Sequence, residues 1–315
     1  MCIGDLCADL IIPYGETKRK LSRIREGVIE SCEVELRSGG TAGNTAVVLG
    51  KLGESPVFVT DLCGDRIGDF LKREMEGHGV DMSFSRVGER GAMVCIAVLE
   101  EDGERTMFPW IPPGGGYPTF TEESFDPRLF RGEWLLFTGG MSLNNDGKSM
   151  GAVLSFIRQM KERTSSRFVF DLNTRIETYG LNQERYWYYQ QMIGLADVVM
   201  GSGIEEFGPL TGKEELKEAA AALAVDGRRV IARDGKKPVL IFENGDVTAV
   251  ETADVPVVST VGAGDTFNGA FLCAENHGLS TVESVKFANE MAGYMISHKG
   301  HLEIPEKTEK WLKRV

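Results

Sequence analysis

Hydrophobic residues along this chain gather into short, β-branched runs separated by longer stretches with helical spacing. Pro56-Val-Phe-Val-Thr60, Trp134-Leu-Leu-Phe137, Phe168-Val-Phe170, Asp197-Val-Val-Met200 and Arg229-Val-Ile-Ala232 read as strands. Helical patterns cover Thr41 to Leu52, Ile67 to His78, Lys148 to Arg163, Glu184 to Ile193 and a stretch ending at Ala224. After Gly262 the pattern is helical almost to the end of the chain. Apolar strands alternating with helices predict an α/β fold whose mostly parallel sheet is covered on both faces.

Two segments break that rhythm. Ala92 to Leu99 and Arg105 to Trp110 flank Glu101-Asp102-Gly103, a hairpin signal. Together with the stretch from Asp9 to Val34 they predict a small antiparallel sheet standing off the main body. A second pair, Val239 to Phe242 and Val247 to Val250 around Asn244-Gly245, predicts an edge extension of the large sheet.

With 315 residues, 42% of them hydrophobic, the chain can bury one sizeable core. A net charge of −12 argues against a nucleic-acid partner and against an acidic membrane surface. There is no apolar run of membrane-spanning length and no signal-peptide pattern, so a cytoplasmic protein is expected. Six cysteines are scattered without a Cys-x-x-Cys pair, and the four histidines show no matching ligand spacing. They read as reduced, buried side chains, and no zinc site is expected.

The strongest chemical signal is Val257-Val-Ser-Thr-Val-Gly262-Ala263-Gly264-Asp265-Thr266-Phe267. It reads as an apolar strand running into glycines, with a helix following at once. Glycines let the backbone approach a ligand closely, and the unpaired N–H groups of a helix start favour phosphate. A carboxylate in such a turn would repel a phosphate it merely held. Its placement suits a base that takes a proton from a hydroxyl attacking that phosphate. Helix capping is the competing structural role for Asp265. A second turn, Ser38-Gly39-Gly40-Thr41-Ala42-Gly43-Asn44, also precedes a helix, and Asn44 can both donate to and accept from vicinal hydroxyls. Close helix packing plus a surface Asn is the alternative there.

Together the two turns resemble the paired signatures of the ribokinase-type (PfkB) carbohydrate kinases. Gly39, Gly40, Asn44, Ala46, Leu52 and Gly53 match the first signature; Thr260, Gly262, Ala263, Gly264, Asp265 and Phe267 match the second. Gly64-Asp65, Asp102-Gly103-Glu-Arg105-Thr106 and Asp171-Leu-Asn173-Thr-Arg175 extend the similarity, nearest in flavour to fructokinases and 2-keto-3-deoxygluconate kinases. The resemblance implies a ribokinase-like three-layer α/β/α sandwich over residues 1–315, with a small antiparallel β lid from about 10–37 and 90–112. It implies an ATP-dependent sugar kinase that transfers the γ-phosphoryl of Mg-ATP to a hydroxyl of a small sugar or sugar acid. In that reading Asp265 is the base, and Gly262, Ala263 and Gly264 form the anion hole. Asp9, Gly39, Gly40, Asn44 and Arg175 meet the acceptor. Glu206 helps hold Mg²⁺ through water, and Arg233, Gly235 and Asn289 border the nucleotide. Relatives often dimerise through the lid, so a homodimer is implied.

The chain also departs from the family pattern. Gly203 stands where the Asn of the family's Asn-x-x-Glu motif is usual, so Mg²⁺ would depend more on water here. Ser259 and Val261 replace residues linked to a monovalent-cation site, which removes the ground for expecting potassium activation. Arg233 replaces a common Thr and is placed to reach ATP phosphates, and Pro238 replaces a usual Gly. Arg175 suits a carboxylate-bearing acceptor or else pairs with Asp171. Arg90 and Arg105 leave a sugar phosphate open as acceptor, and Phe108, Trp110 and Tyr117 leave a nucleoside open. A non-catalytic sugar-binding regulator on the same scaffold is the reading from another class.

Overall fold

The computed structural model describes residues 1–13, 34–99, 105–111, 116–143, 146–298 and 301–305. The chain begins with β1 (Cys2–Ile3), β2 (Cys7–Pro13), β3 (Glu35–Gly39), α1 (Thr41–Lys51), β4 (Phe58–Val59), β5 (Asp61–Cys63) and α2 (Arg66–Gly77). It continues through β6 (Arg86–Gly88), β7 (Val94–Leu99), β8 (Arg105–Trp110), β9 (Leu135–Gly139), α3 (Gly147–Arg163) and β10 (Arg167–Asp171). Next come the short α4 (Ile176–Tyr179), α5 (Gln183–Leu195), β11 (Val198–Ser202), α6 (Ile204–Thr211) and α7 (Leu216–Leu223). The last elements are β12 (Arg229–Arg233), β13 (Val239–Glu243), β14 (Asp246–Val250), α8 (Ala263–Asn276) and α9 (Thr281–Ser297).

Local chemistry starts several of these helices. Asp65 and Asp146 accept the backbone N–H of Gly68 and Ser149, each at 2.8 Å, and Ser280 forms a capping box with Glu283. The large sheet runs β14-β13-β12-β11-β10-β9-β1-β4. It is parallel from β4 to β12, and β13 and β14 close that edge as an antiparallel pair. Because strand side chains alternate, Phe168 and Phe170 of β10 enter one apolar cluster and Val169 enters the other. The first cluster packs the sheet on α3, α5, α6 and α7, through Phe156, Ile157, Tyr189, Met192 and Phe207. The second packs it on α1, α8 and α9, through Val47, Val48, Phe271, Phe287 and Met291. This is the three-layer arrangement expected of the pattern. Among the described residues no helix is long and apolar enough to cross a membrane.

The smaller sheet has the order β3-β2-β7-β8, drawn from the segments in which the lid was expected. The β7–β8 hairpin pairs Leu99 with Arg105, although Glu101-Asp102-Gly103 lies outside the described residues. Its β2–β3 and β7–β8 pairings are antiparallel, whereas β2 and β7 run parallel. That parallel pairing follows from the intervening chain, which returns through α1 to α2 before β7 begins.

One expected strand is absent. Residues 251–261 are irregular, and Val257 and Val258 are 63% and 45% exposed. Here β-branched composition misleads, because the segment pairs with no strand among the described residues and bonds a helix instead. The N–H groups of Val258 and Ser259 instead both reach the carbonyl of Ile296 on α9, at 2.7 and 3.2 Å. The chain must cross here from the sheet edge to the helical layer, which an extended ladder would not permit.

Candidate active site

The glycine turn at the start of α1 is built around Asp5. This buried carboxylate accepts the N–H of Thr41 at 2.7 Å and of Ala42 at 3.1 Å, and its own carbonyl accepts the N–H of Gly43 at 3.2 Å. One residue therefore satisfies three of the N–H groups that a helix start leaves open. Gly40 makes the close approach feasible: its φ is +97°, and a Cβ there would come within 2.8 Å of the Asp5 carbonyl. Burial, opposed by those N–H bonds, raises the Asp5 carboxyl above the ordinary range. The hydrophobic pattern and the two glycine turns do not single out Asp5. No local signal marks it: Gly39 and Gly40 lie 34 and 35 positions further along the chain, and packing alone brings Asp5 to the helix start. Asp9 sits on β2 against Gly39, where a Cβ would meet its carboxylate at 2.4 Å.

The fold carries α8 to the same place. The Asn44 amide nitrogen donates to Asp265 Oδ2 at 2.7 Å. Asp265 keeps part of its surface open to solvent but lies in dense protein on its other sides. Burial, then the charges of Asp5 and Asp171, push its carboxyl up to about 7, against the lowering effect of Asn44 and Arg175. The Asn44 amide oxygen is buried without a donor among the described residues. A substrate hydroxyl would satisfy it.

At the head of α8, Gly262 has φ +86°, a region that favours glycine, and no side chain caps the helix. The N–H of Ala263 turns back to the Thr260 carbonyl at 3.2 Å, and that of Thr266 bonds Gly262 at 2.8 Å. Of the anion-hole donors expected at Gly262 to Gly264, that of Ala263 is therefore already engaged. The N–H groups of Gly264 and Asp265 have no protein acceptor among the described residues, and Gly264 is exposed. The positive end of the α8 dipole thus opens onto solvent beside Asp265.

Arg233, expected beside the nucleotide, is bonded to the protein on several sides. Its guanidinium donates to Asp171 Oδ1 at 3.0 Å, Asn268 Oδ1 at 3.0 Å, the Gly264 carbonyl at 3.2 Å and the Gly201 carbonyl at 3.3 Å. Asn268 returns a bond to Asp171 Oδ2 at 2.8 Å. These bonds tie the ends of β10, β11 and β12 to α8, and they direct the Arg233 donors inward rather than toward a phosphate. Asp171 is consequently the partner of Arg233, not of Arg175. Arg175 is exposed with φ +46°, and Asn173, whose amide bonds Thr41 Oγ1 at 2.6 Å, has φ +31°. Two left-handed non-glycine residues in one loop are strained backbone of the kind found beside functional sites. The Arg175 charge acts on Asp5, Asp265 and Glu206 alike.

Glu206, on the first turn of α6, accepts the Ser202 N–H at 2.8 Å. Burial and the neighbouring Asp171 push its carboxyl up. Gly235 and Asn289 belong to a second group. Gly235 occupies an open turn with φ +57°; the next residue's carbonyl accepts from Thr252 Oγ1 at 2.6 Å, and Asn289 donates to the adjoining Glu251 carbonyl at 3.0 Å. Near the hairpin, Arg90 is tied to Asp61 at 2.9 Å and to the Gly116 carbonyl, so it is not free for a sugar phosphate.

Comparison with known proteins decides the family. Residues 1–308 match the pfkB family carbohydrate kinases. The chain belongs to that family. A 5-dehydro-2-deoxygluconokinase from Clostridium tetani is 22% identical over 86% of this chain and 81% of its own length. An aminoimidazole riboside kinase from Salmonella typhimurium is 28% identical over 83% and 82%. The fructokinase of Vibrio cholerae, solved with fructose, ADP and calcium, superposes with a TM-score of 0.76 at 25% identity, covering 96% of this chain and 94% of that one. The ribokinase-like fold and the resemblance drawn from the two turns are thus established. As a pfkB-family carbohydrate kinase, the protein is a phosphotransferase acting on sugar hydroxyl groups.

Proposed function

We propose that this kinase transfers the γ-phosphoryl group of ATP to a hydroxyl of a small sugar or sugar acid, with Asp265 as base. The observation that carries the reading is the carboxylate of Asp265, raised to about 7 and held by Asn44, beside the uncapped start of α8. A base with a pKa near the working pH is suited to general catalysis. Asp265 takes the hydroxyl proton as the acceptor oxygen bonds to phosphorus and the bond to the bridging oxygen breaks, releasing ADP. The N–H groups of Gly264 and Asp265 meet charge developing on the phosphoryl oxygens. Phosphoryl transfer asks chiefly for alignment and charge stabilisation, and this arrangement supplies both.

Asp9, Gly39, Gly40 and Asn44 line the acceptor side, with the unpartnered Asn44 oxygen as a ready hydrogen-bond acceptor. Arg175 is the exposed cation of that side and favours an acceptor bearing a carboxylate or several hydroxyls. Gly235 and Asn289 border the nucleotide. Glu206 fits a role toward Mg²⁺ through water, since a buried carboxylate among acidic neighbours gains from a nearby cation. When bound, Mg²⁺ would neutralise charge on the nucleotide phosphates. The smaller sheet serves as the lid that keeps water from the acceptor. Leu36, Met107, Phe108 and Trp110, all exposed on that sheet, support the expected homodimer.

One observation favours a riboside as a second acceptor class. Tyr117 and Tyr179 meet edge to face, with centroids 5.8 Å apart, and Asp5 is among the charges that act on Tyr117. Such an aromatic pair offers a surface for a base.

The deciding experiment measures ADP release from Mg-ATP across fructose, ribose, 2-keto-3-deoxygluconate, 5-dehydro-2-deoxygluconate, fructose phosphates and nucleosides. Turnover with one acceptor should fall at least ~100-fold in Asp265→Asn, with acceptor binding kept. Unchanged turnover in that variant would overturn the base assignment. Absence of turnover, with a sugar still raising the melting temperature, would favour a binding protein.

A further inference from the structure

At the opposite end of α8 from Asp265, the structure brings together two side chains that share a helix face and a third from a distant part of the chain. Cys273 and His277 lie four residues apart, at the last turn of α8 and its C-cap, so both face the same side of the helix. Glu54 reaches them from the turn that ends α1, where Gly53 adopts φ +89° and the Glu54 N–H bonds the Leu49 carbonyl at 3.0 Å. His277 Nε2 is 2.7 Å from Glu54 Oε1, and Cys273 Sγ is 3.7 Å from the same oxygen. One ligand atom from each residue lies within 4.8 Å of the others. Asn276 Nδ2 holds the second carboxylate oxygen, Oε2, at 2.9 Å.

A thiolate, an imidazole and a carboxylate form the ligand set of a borderline divalent cation of the zinc class. At metal–ligand lengths of roughly 2.0–2.3 Å, tetrahedral ligand atoms stand about 3.5 Å apart. The Sγ–Oε1 distance already meets that spacing, and a small rotation of the half-exposed His277 ring would open its contact to Glu54. Cys273 is fully buried, while the His277 side is open to solvent, leaving a route of entry and a place for water as fourth ligand. Asn276 supplies the hydrogen bond that a ligating carboxylate commonly receives from its surroundings. None of the four residues takes part in the phosphoryl-transfer site.

We propose that Glu54, Cys273 and His277 form a binding site for a zinc-class divalent cation that staples the C-terminal end of α1 to that of α8. The Cys273 thiol gives up its proton to solvent on binding, the sulfur and the His277 Nε2 lone pair each bond the ion, and Glu54 binds through Oε1. The two helices so joined carry Asn44 and Asp265 near their N-terminal ends. At 1.5 Å per residue, their 11 and 14 residues put the ion roughly 15–20 Å from the base. The role assigned to it is structural.

The test titrates the full chain, stripped of metal and reduced, with Co²⁺ in Mg²⁺-free buffer. One equivalent should produce a near-ultraviolet thiolate-to-cobalt absorption band together with the visible bands of a tetrahedral ion. Zn²⁺ should displace the Co²⁺ and raise the melting temperature. Cys273→Ala should lose the ultraviolet band, and His277→Ala and Glu54→Gln should each weaken binding at least ~10-fold. The last two positions are partly exposed, so these variants test the site even if Cys273→Ala folds poorly. A wild-type protein without the band would overturn the proposal. So would a band of equal strength and affinity in His277→Ala and Glu54→Gln, which would assign the metal to another cysteine.

Discussion

Asn44 and Asp265, 221 positions apart in the chain, are joined by a 2.7 Å hydrogen bond from the Asn44 amide to Asp265 Oδ2. This contact unites the two glycine turns, and it makes the proton affinity of the base depend on a residue of the other half of the chain. An amide donor stabilises the ionised carboxylate, whereas burial and the charges of Asp5 and Asp171 oppose it.

The first consequence is a pH profile. Asp265 must be ionised to accept a proton, so kcat/KM should fall as pH drops through about 7 and level off above it. In Asn44→Ala the ionised form loses its donor, so this acidic limb should move to higher pH. Rates measured from pH 5 to 9 check both points, and a limb at the same pH in both proteins would show that Asn44 does not tune the base.

Stability should respond to the same group with the opposite preference. The folded Asp265 carboxyl, near 7, lies above the unfolded value of about 3.9. Between those values the folded state binds more protons, so this group's contribution to stability declines as pH rises and is fully unfavourable above 7. Asp265→Asn should therefore melt higher than the wild type at pH 8, with the difference vanishing toward pH 4. Thermal melts across that range would expose a constant difference if the shift is absent.

Removing Asp5 should damage both fold and site. Asp5→Ala strips the side-chain acceptors from the Thr41 and Ala42 N–H groups, a loss of about 1–3 kcal/mol. Asp5→Asn keeps one acceptor and should lose less. Because α1 carries Asn44 on its first turn, the acceptor KM should rise more in Asp5→Ala than the nucleotide KM, as read by urea melts and steady-state kinetics.

Arg233 should matter for stability more than for nucleotide affinity. Arg233→Met leaves Asp171 buried without its cation and should cost about 3–5 kcal/mol. Adding Asp171→Asn removes the stranded charge and should recover part of that loss. A variant that keeps its stability but binds ATP weakly would instead return Arg233 to the phosphates.

Zinc-class metal binding at the far end of α8 is open to its own test, independent of these.

Much of this was legible in the chain. Hydrophobic spacing is a local property, and the alternation of strands and helices, both hairpins and the edge placement of β13 and β14 followed from it. The glycine turns announced themselves because close backbone approach and positive φ exclude other residues at Gly40 and Gly262. Where locality failed, a tertiary partner was decisive. The β-branched run at Val257 to Val261 bonds the Ile296 carbonyl of α9 instead of a strand, and Arg233, free to serve a phosphate by position alone, is drawn inward by Asp171 and Asn268.

By itself the sequence determined the layered α/β architecture, the two helix starts that bear Asn44 and Asp265, and the chemical types gathered there. Tertiary structure alone decided that Asp5 organises the α1 turn, that Asp171 pairs with Arg233 rather than Arg175, and that Glu54 meets Cys273 and His277. The physical reason is distance. Propensity and periodicity act over a few residues, whereas the proton affinity of a carboxylate and the partner of a buried charge are set by groups that chain order keeps far apart and packing brings within 3 to 4 Å.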